Sequence, residues 1–199
     1  MRLAMLGGSF NPIHIGHLLL ADEVCHRLAY DMVLFVPVNL PPHKELADGA
    51  TTEQRLEMVR LAIAGNSRFA VDTCELERGG ISYTYDTISC LKETYAGQLE
   101  GKIGLIMGDD LVDGFEEWGH YQELPELADI ILARRICWDG TVRKAFPYRH
   151  TEPDNGILPV SSSQIRRAGN GDGGSWRYLV PESVSQYIIQ GNLYGCTAD

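Results

Sequence analysis

Apolar residues occur along this 199-residue chain in short blocks that alternate with amphipathic stretches. Residues 3–6 form a continuous apolar run closed by Gly7-Gly8, the pattern of a strand buried on both faces. Residues 16–29 carry Leu18, Leu19, Val24 and Leu28 at near-helical spacing, and residues 32–37 form a second apolar, β-branched run stopped by Pro37. The opening is therefore a β-α-β unit. Thr51 followed by Gln54 forms a capping box for a helix over 52–64, which Gly65-Asn66 ends. Residues 69–76 alternate like a strand, 78–80 are a turn, and 83–95 are helical.

The rhythm continues with a strand at 102–107, short helices at 110–115 and 122–127, a strand at 130–133 and a last strand at 156–160. A helix over 161–168, a glycine-rich loop over 169–174 and a terminal helix over 181–190 complete the chain, with Pro181 at the last helix's start and Gly191 after its end. Short strands alternating with longer helices predict an α/β fold. Its sheet is doubly wound and mostly parallel, with helices on both faces, and a small helical part over 161–191 lies within a single domain of 1–199.

Composition narrows the function. Hydrophobic residues make up 44% and charged residues 22%, the balance of a folded globular chain. The longest apolar stretches, at 18–21 and 130–133, are far below the roughly 20 residues of a membrane span. The first residues lack a signal peptide's apolar length and cleavage site, so a cytoplasmic protein is expected. Five cysteines (25, 74, 90, 137 and 196) without a CxxC pair read as reduced thiols. A net charge of −10 repels nucleic acid and anionic membranes, so an anionic substrate needs a locally positive pocket.

In parallel sheets, ligands sit where the carboxyl ends of strands meet helix N-termini. The string Gly7-Gly8-Ser9-Phe10-Asn11-Pro12-Ile13-His14-Ile15-Gly16-His17 lies at such a place. Its glycines let a phosphate approach the backbone, and His14 and His17 fall at a helix start that already favours anions. Gly16 leaves that start bare, so a nucleobase or ribose can pack there. Taken singly, Gly-Gly is an ordinary turn and HxxH a capped helix start or a stray metal pair. The ordered string matches the HxGH signature of nucleotidyltransferases. Near the other end, Val160-Ser161-Ser162-Ser163-Gln164-Ile165-Arg166 is similar to their I-S-S-T-x-I-R motif, although a serine run alone is usually an N-cap.

Further landmarks follow in order: Val36-Pro37 with Pro41-Pro42-His43-Lys44, Gln54-Arg55-Leu56-Glu57-Met58, Ser82-Tyr83-Thr84-Tyr85-Asp86-Thr87, Gly108-Asp109 with Trp118, and Arg177-Tyr178-Leu179-Val180-Pro181. Over about residues 3–191 the chain resembles the bacterial nicotinate-nucleotide adenylyltransferase family, whose fold is Rossmann-like. The resemblance implies adenylyl transfer from ATP to nicotinate mononucleotide, giving deamido-NAD and pyrophosphate by direct attack, with Mg2+ carried on ATP and no protein cage for it. It also implies small-molecule partners, no nucleic acid and no membrane, and leaves homo-oligomerisation open.

Carried over residue by residue, His14 and His17 would contact the ATP phosphates, His17 nearest the α-phosphate, and Arg166 would hold the pyrophosphate end. Lys44 would clamp the mononucleotide or triphosphate. Gly7, Gly8, Ser9, Phe10, Gly16, Gly108, Ser161, Ser162 and Ser163 would form the ATP side. Trp118 would stack on the pyridine ring, Thr84 and its neighbouring amides would donate to the carboxylate, Asp109 would meet a ribose hydroxyl or magnesium, and Arg134 the mononucleotide phosphate.

Bland roles stand beside these: packing for Trp118, Tyr83 and Tyr85, a helix cap for Asp109, surface pairing for Arg134, and ordinary histidines at 26, 120 and 150. The glycine-rich loop is either nucleotide-responsive or a plain linker. Asn11, Ser163 and Asp110 depart from the common pattern without removing a needed donor. Competing functions are an adenylyltransferase for phosphopantetheine or nicotinamide mononucleotide, and a non-catalytic nucleotide-binding regulator. Length and the Trp118 and 82–87 segments disfavour phosphopantetheine; His14, His17 and Arg166 disfavour the regulator. All of this requires the chain start and the 160–166 stretch to converge around one triphosphate.

Overall fold

The computed structural model describes residues 1–42, 49–135, 145–169 and 175–196. Its centre is β1 (Leu3–Gly8), which pairs in parallel with β2 (Met32–Pro37) on one side and β4 (Ile103–Gly108) on the other. β3 (Phe69–Val71) extends the sheet beyond β2, while β5 (Ala128–Ala133) and β6 (His150–Thr151) extend it beyond β4. The order β3-β2-β1-β4-β5-β6 is parallel throughout, the doubly wound arrangement expected. The strand order, which runs outward from β1 to β3 on one side, restarts at β4 on the other, so the crevice beyond the carboxyl ends of β1 and β4 is the topological switch point.

Both faces are covered because successive side chains of a strand point to opposite sides. Leu3 and Met5 pack in one layer with Ile88 and Leu91 of α4 (Thr84–Thr94). Ala4 and Leu6 enter the other layer, formed by α1 (Ile15–Arg27), α2 (Thr52–Ile63) and α7 (Glu182–Gln190). The capping box forms: Thr51 Oγ1 accepts from the Gln54 amide at 3.3 Å, and Gln54 Oε1 accepts from the Thr51 amide at 2.8 Å. Val184 and Ile188 of α7 share a core with Met58 and Val59 of α2, so the C-terminal helical part is built onto the sheet's main core.

Two expected strands differ. The run 69–76 is a strand only as far as Val71, because Asp72 Oδ1 accepts from the Cys74 amide at 2.9 Å and turns the chain into α3 (Cys74–Arg78). The run 156–160 is irregular, and the edge position belongs to β6. Pro153 and Pro159 supply no amide for a ladder, and the Gly156 amide donates to Glu23 Oε2 of α1 at 2.8 Å instead. The expected helix at 110–115 is part of a 3₁₀ segment over Asp109–Glu117, α5 is confined to Leu124–Leu127, and α6 runs over Ser162–Gly169. Lys44, Cys137 and most of the 169–174 loop lie outside the described residues. Cys25 and Cys196 are buried free thiols, and Cys74 and Cys90 are half-buried ones. No helix among the described residues is long and apolar enough to cross a membrane.

Gly104, in the middle of β4, leaves space for the Tyr30 ring: a Cβ there would lie 2.7 Å from Tyr30 Cζ and 2.8 Å from Ile131 Cδ1. Gly104→Ala is therefore expected to cost about 1–3 kcal/mol through overpacking. Urea denaturation checks this as a lower midpoint at unchanged slope.

Candidate active site

At the switch point β1 delivers Gly7 and Gly8, after which the chain bends back to start α1. His14 is extended (φ −146°) and acts as the N-cap, its carbonyl accepting from the His17 amide at 3.0 Å. In return the His14 amide donates to His17 Nδ1 at 3.2 Å, and the two rings stack with centroids 3.7 Å apart. An Nδ1 that accepts must leave the neutral ring's proton on Nε2, so the hydrogen bond assigns His17 as an N–H donor. His14 is 3% exposed, and burial with the nearby Arg135 charge lowers its pKa to about 3. Burial, then His14 and Arg135, hold His17 well below the ordinary imidazole value. Both rings are neutral at pH 7.

The 160–166 stretch meets this loop. Ser162 Oγ donates to the Pro12 carbonyl at 2.8 Å, and Arg166 Nη1 donates to the Asn11 carbonyl at 2.6 Å. Ser161 Oγ caps α6 by accepting from the Gln164 amide at 3.2 Å, and Ser163 Oγ accepts from Arg166 Nη2 at 3.1 Å. The hydroxyl protons of Ser161 and Ser163 remain available to an anion, whereas that of Ser162 is committed to the loop. A Cβ on Gly16 would lie 2.8 Å from Val160 Cγ1 and 3.1 Å from His14 Nδ1, so the missing side chain also seats the 160–166 segment and the His14 ring. The start of α6 is thus bonded to the loop that leads into α1, which brings together two helix starts whose first-turn amides and dipoles favour an anion.

The other candidates divide. Phe10, 2% exposed, packs between Phe35 and His17 (centroids 5.9 and 5.1 Å) and so supports the histidine instead of facing solvent. The Ser9 carbonyl accepts from Arg55 Nη1 at 2.8 Å. Gly108 makes room for the ion pair of Arg135 Nη1 with Asp110 Oδ2 at 2.9 Å. Asp109 is buried at the end of β4, its Oδ1 accepting from the Arg135 amide at 2.9 Å. Arg134 is half-exposed and paired with Glu152 (3.3 Å) and Asp154 (3.0 Å), the surface role weighed for it. Arg135, one residue on, is the arginine whose charge reaches both histidines.

Thr84 opens α4, and the Tyr83 side chain makes no cap bond there. The facing segment comes close: a Cβ on Gly119 would lie 3.0 Å from Tyr83 Cδ1, and Tyr85 stacks on His120 at 4.5 Å. His120 Nδ1 in turn lies 2.9 Å from Glu123 Oε1, so this histidine is tied into an aromatic wall. Trp118 is half-buried, its ring 5.5 Å from Phe115.

Residues without an assigned role also shape the site. Arg55 is 1% exposed and donates to the carbonyls of Ser9 and Val38 at 2.8 and 2.9 Å, bracing the ends of β1 and β2 against each other. Its signal was legible, since with Met58, Val59 and Ile63 it falls on the apolar stripe of α2, where a cation must find oxygen acceptors. Tyr194, which donates to Asn11 Oδ1 at 2.6 Å, has no such signal.

Residues 5–168 match the cytidylyltransferase-like family, which makes the chain a nucleotidyltransferase by class. A Treponema pallidum protein named "probable nicotinate-nucleotide adenylyltransferase" is 41% identical over 98% of this chain and 99% of its own length. A Geobacillus kaustophilus protein of the same name is 40% identical over 98% of this chain and 86% of its own. The chain belongs to the nicotinate-nucleotide adenylyltransferase family. The solved Plasmodium falciparum nicotinic acid mononucleotide adenylyltransferase complexed with NaAD shares the fold, with a TM-score of 0.72 at 21% identity over 97% of each chain.

The depressed histidines carry a sign. Between pH 6.5 and about 3 the unfolded chain takes up a proton at His14 that the folded chain refuses, so stability falls as pH falls through that window. His14 alone contributes a slope of up to about 1.4 kcal/mol per pH unit. Urea melts between pH 7 and 5 are expected to show His14→Asn with a shallower loss of stability than the parent chain.

Proposed function

We propose that this chain transfers the adenylyl group of ATP to nicotinate mononucleotide, releasing pyrophosphate and deamido-NAD. The observation that carries the reading is the convergence of two helix N-termini, neutral His17 and the Arg166 fork at the end of β1. A phosphate oxygen of the mononucleotide attacks the α-phosphorus in line as the bond to the bridging oxygen of the leaving pyrophosphate breaks. The attacking pair comes from an already ionised phosphate oxygen and becomes the new P–O bond, and the pair of the broken bond leaves on pyrophosphate, so the step needs neither a protein nucleophile nor a general base. The work is positioning and the stabilisation of charge.

A neutral imidazole suits this. It donates Nε2–H to the α-phosphate without holding the product as a full cation would, while Arg166 and Arg135 supply fixed positive charge nearby. The open amides at the start of α4 favour a carboxylate over a carboxamide, whose N–H₂ would face donors with donors. Trp118 and the Tyr85–His120 wall fit a flat ring. Lys44, outside the described residues, remains a phosphate clamp in this reading. Magnesium carried on the triphosphate would spread its charge. Among the described residues no group of three or more His, Cys, Asp or Glu is placed to hold a metal, and buried Asp109 is the carboxylate suited to its water shell. Free thiols at Cys25, Cys74, Cys90 and Cys196 support a reducing, cytoplasmic setting.

Purified protein given magnesium-ATP with nicotinate mononucleotide, its amide or phosphopantetheine is expected to release pyrophosphate fastest with the first. His17→Ala should lower turnover roughly 10²–10³-fold. Release confined to phosphopantetheine, or an undiminished His17→Ala, would sink the reading.

A further inference from the structure

The turn over 193–195 bears on the site from behind. Tyr194 is 5% exposed and sits at φ 58°, ψ 20°, two residues after Asn192 at φ 47°. A bulky residue holds left-handed backbone only where its surroundings fix it. Here they do. A Cβ on Gly49 would lie 2.5 Å from the Tyr194 ring, so only glycine at 49 admits it, and α6 closes on it from the other side, where a Cβ on Gly169 would lie 2.5 Å from the Tyr194 carbonyl. The phenol donates to Asn11 Oδ1 at 2.6 Å in a fully buried bond, and the Asn11 carbonyl is the acceptor of Arg166 Nη1. The phenol lies within the fields of two guanidinium groups, Arg166 and Arg55, both bonded to carbonyls of the 9–11 loop.

We infer that Tyr194 is a positioning residue for the transfer reaction: its hydroxyl fixes Asn11, and Asn11 aims the Arg166 fork at the triphosphate. The chemistry fits the geometry. Asn11 meets the phenol through its side chain and Arg166 through its backbone, so anchoring the side chain restrains the Asn11 Cα and with it the carbonyl that orients the guanidinium. Buried in the core, the phenol itself touches no substrate, and its influence passes through Arg166. The inference rests on the reading that Arg166 meets the phosphates of ATP.

Tyr194→Phe removes the hydroxyl and keeps the ring, so the fold is retained, with a thermal midpoint lowered by the loss of one buried hydrogen bond. The expected result is a fall of at least fivefold in kcat/KM for ATP with the KM for nicotinate mononucleotide unchanged within twofold. In an Arg166→Lys background, which keeps a cation and loses the fork, adding Tyr194→Phe should change kcat/KM less than twofold. Wild-type kcat/KM in Tyr194→Phe, or an equal loss in both backgrounds, would overturn the inference, the latter marking a general structural role. Calorimetric magnesium-ATP dissociation constants of the same four proteins separate the two readings. If the wild type binds ATP yet releases no pyrophosphate with nicotinate mononucleotide, the acceptor assignment fails, and the coupling is judged on those constants: weakening by Tyr194→Phe only when Arg166 is present supports it, and any other pattern overturns it.

Discussion

Two hydrogen bonds hold the site together: Ser162 Oγ to the Pro12 carbonyl and Arg166 Nη1 to the Asn11 carbonyl, joining residues about 150 positions apart. They are made to carbonyls of a tight loop, so they fix where α6 begins relative to where α1 begins. Without that fixed relation the chain would own two ordinary helix starts. With it, the two helix starts lie close to one another, and each favours an anion. Gly16 makes the contact close enough, since any side chain there would strike Val160.

The same constraint resolves an electrostatic difficulty. A chain of net charge −10 repels a nucleoside triphosphate over most of its surface. Within the site the positive potential is built from amides, dipoles and arginines held by carbonyl oxygens, none of which requires a titrating group to be charged. The histidines stay neutral because they are buried beside a guanidinium, so their role is directional: Nε2–H of His17 is aimed by the bond its Nδ1 accepts. Arg55 extends the principle to the scaffold, tying the end of β1 to the end of β2 through the carbonyls of Ser9 and Val38.

Sheet topology places these parts. β1 lies between β2 and β4, so its carboxyl end is flanked by Val38 on one side and by Gly108 and Asp109 on the other. The Arg135–Asp110 pair over Gly108 and the Asp109 bond to the Arg135 backbone lock the ends of β4 and β5 together, which keeps the half-exposed Arg135 guanidinium near the histidines.

Much of this was legible in the sequence because it is encoded locally. Strand and helix periods, the Thr51–Gln54 capping box and the ordered strings at 7–17 and 160–166 each depend on residues near in the chain, and they yielded the α/β layering, the histidine pair and Arg166. Local signals failed where a distant partner decided. Asp72 ended β3 early, and Glu23 drew Gly156 away from the sheet. Arg134 and Arg135 are chemically alike and equally exposed, and only the tertiary positions of Glu152 and Asp154 around one and Asp110 around the other decide which charge lies near the histidines. The serines' division into cap, clamp and orienting group, the packing reason for Gly16 and the reach of Tyr194 into the first loop are all contacts between chain ends. A one-dimensional pattern carries the period of an element, but which oxygen a given donor meets is set by how the elements pack.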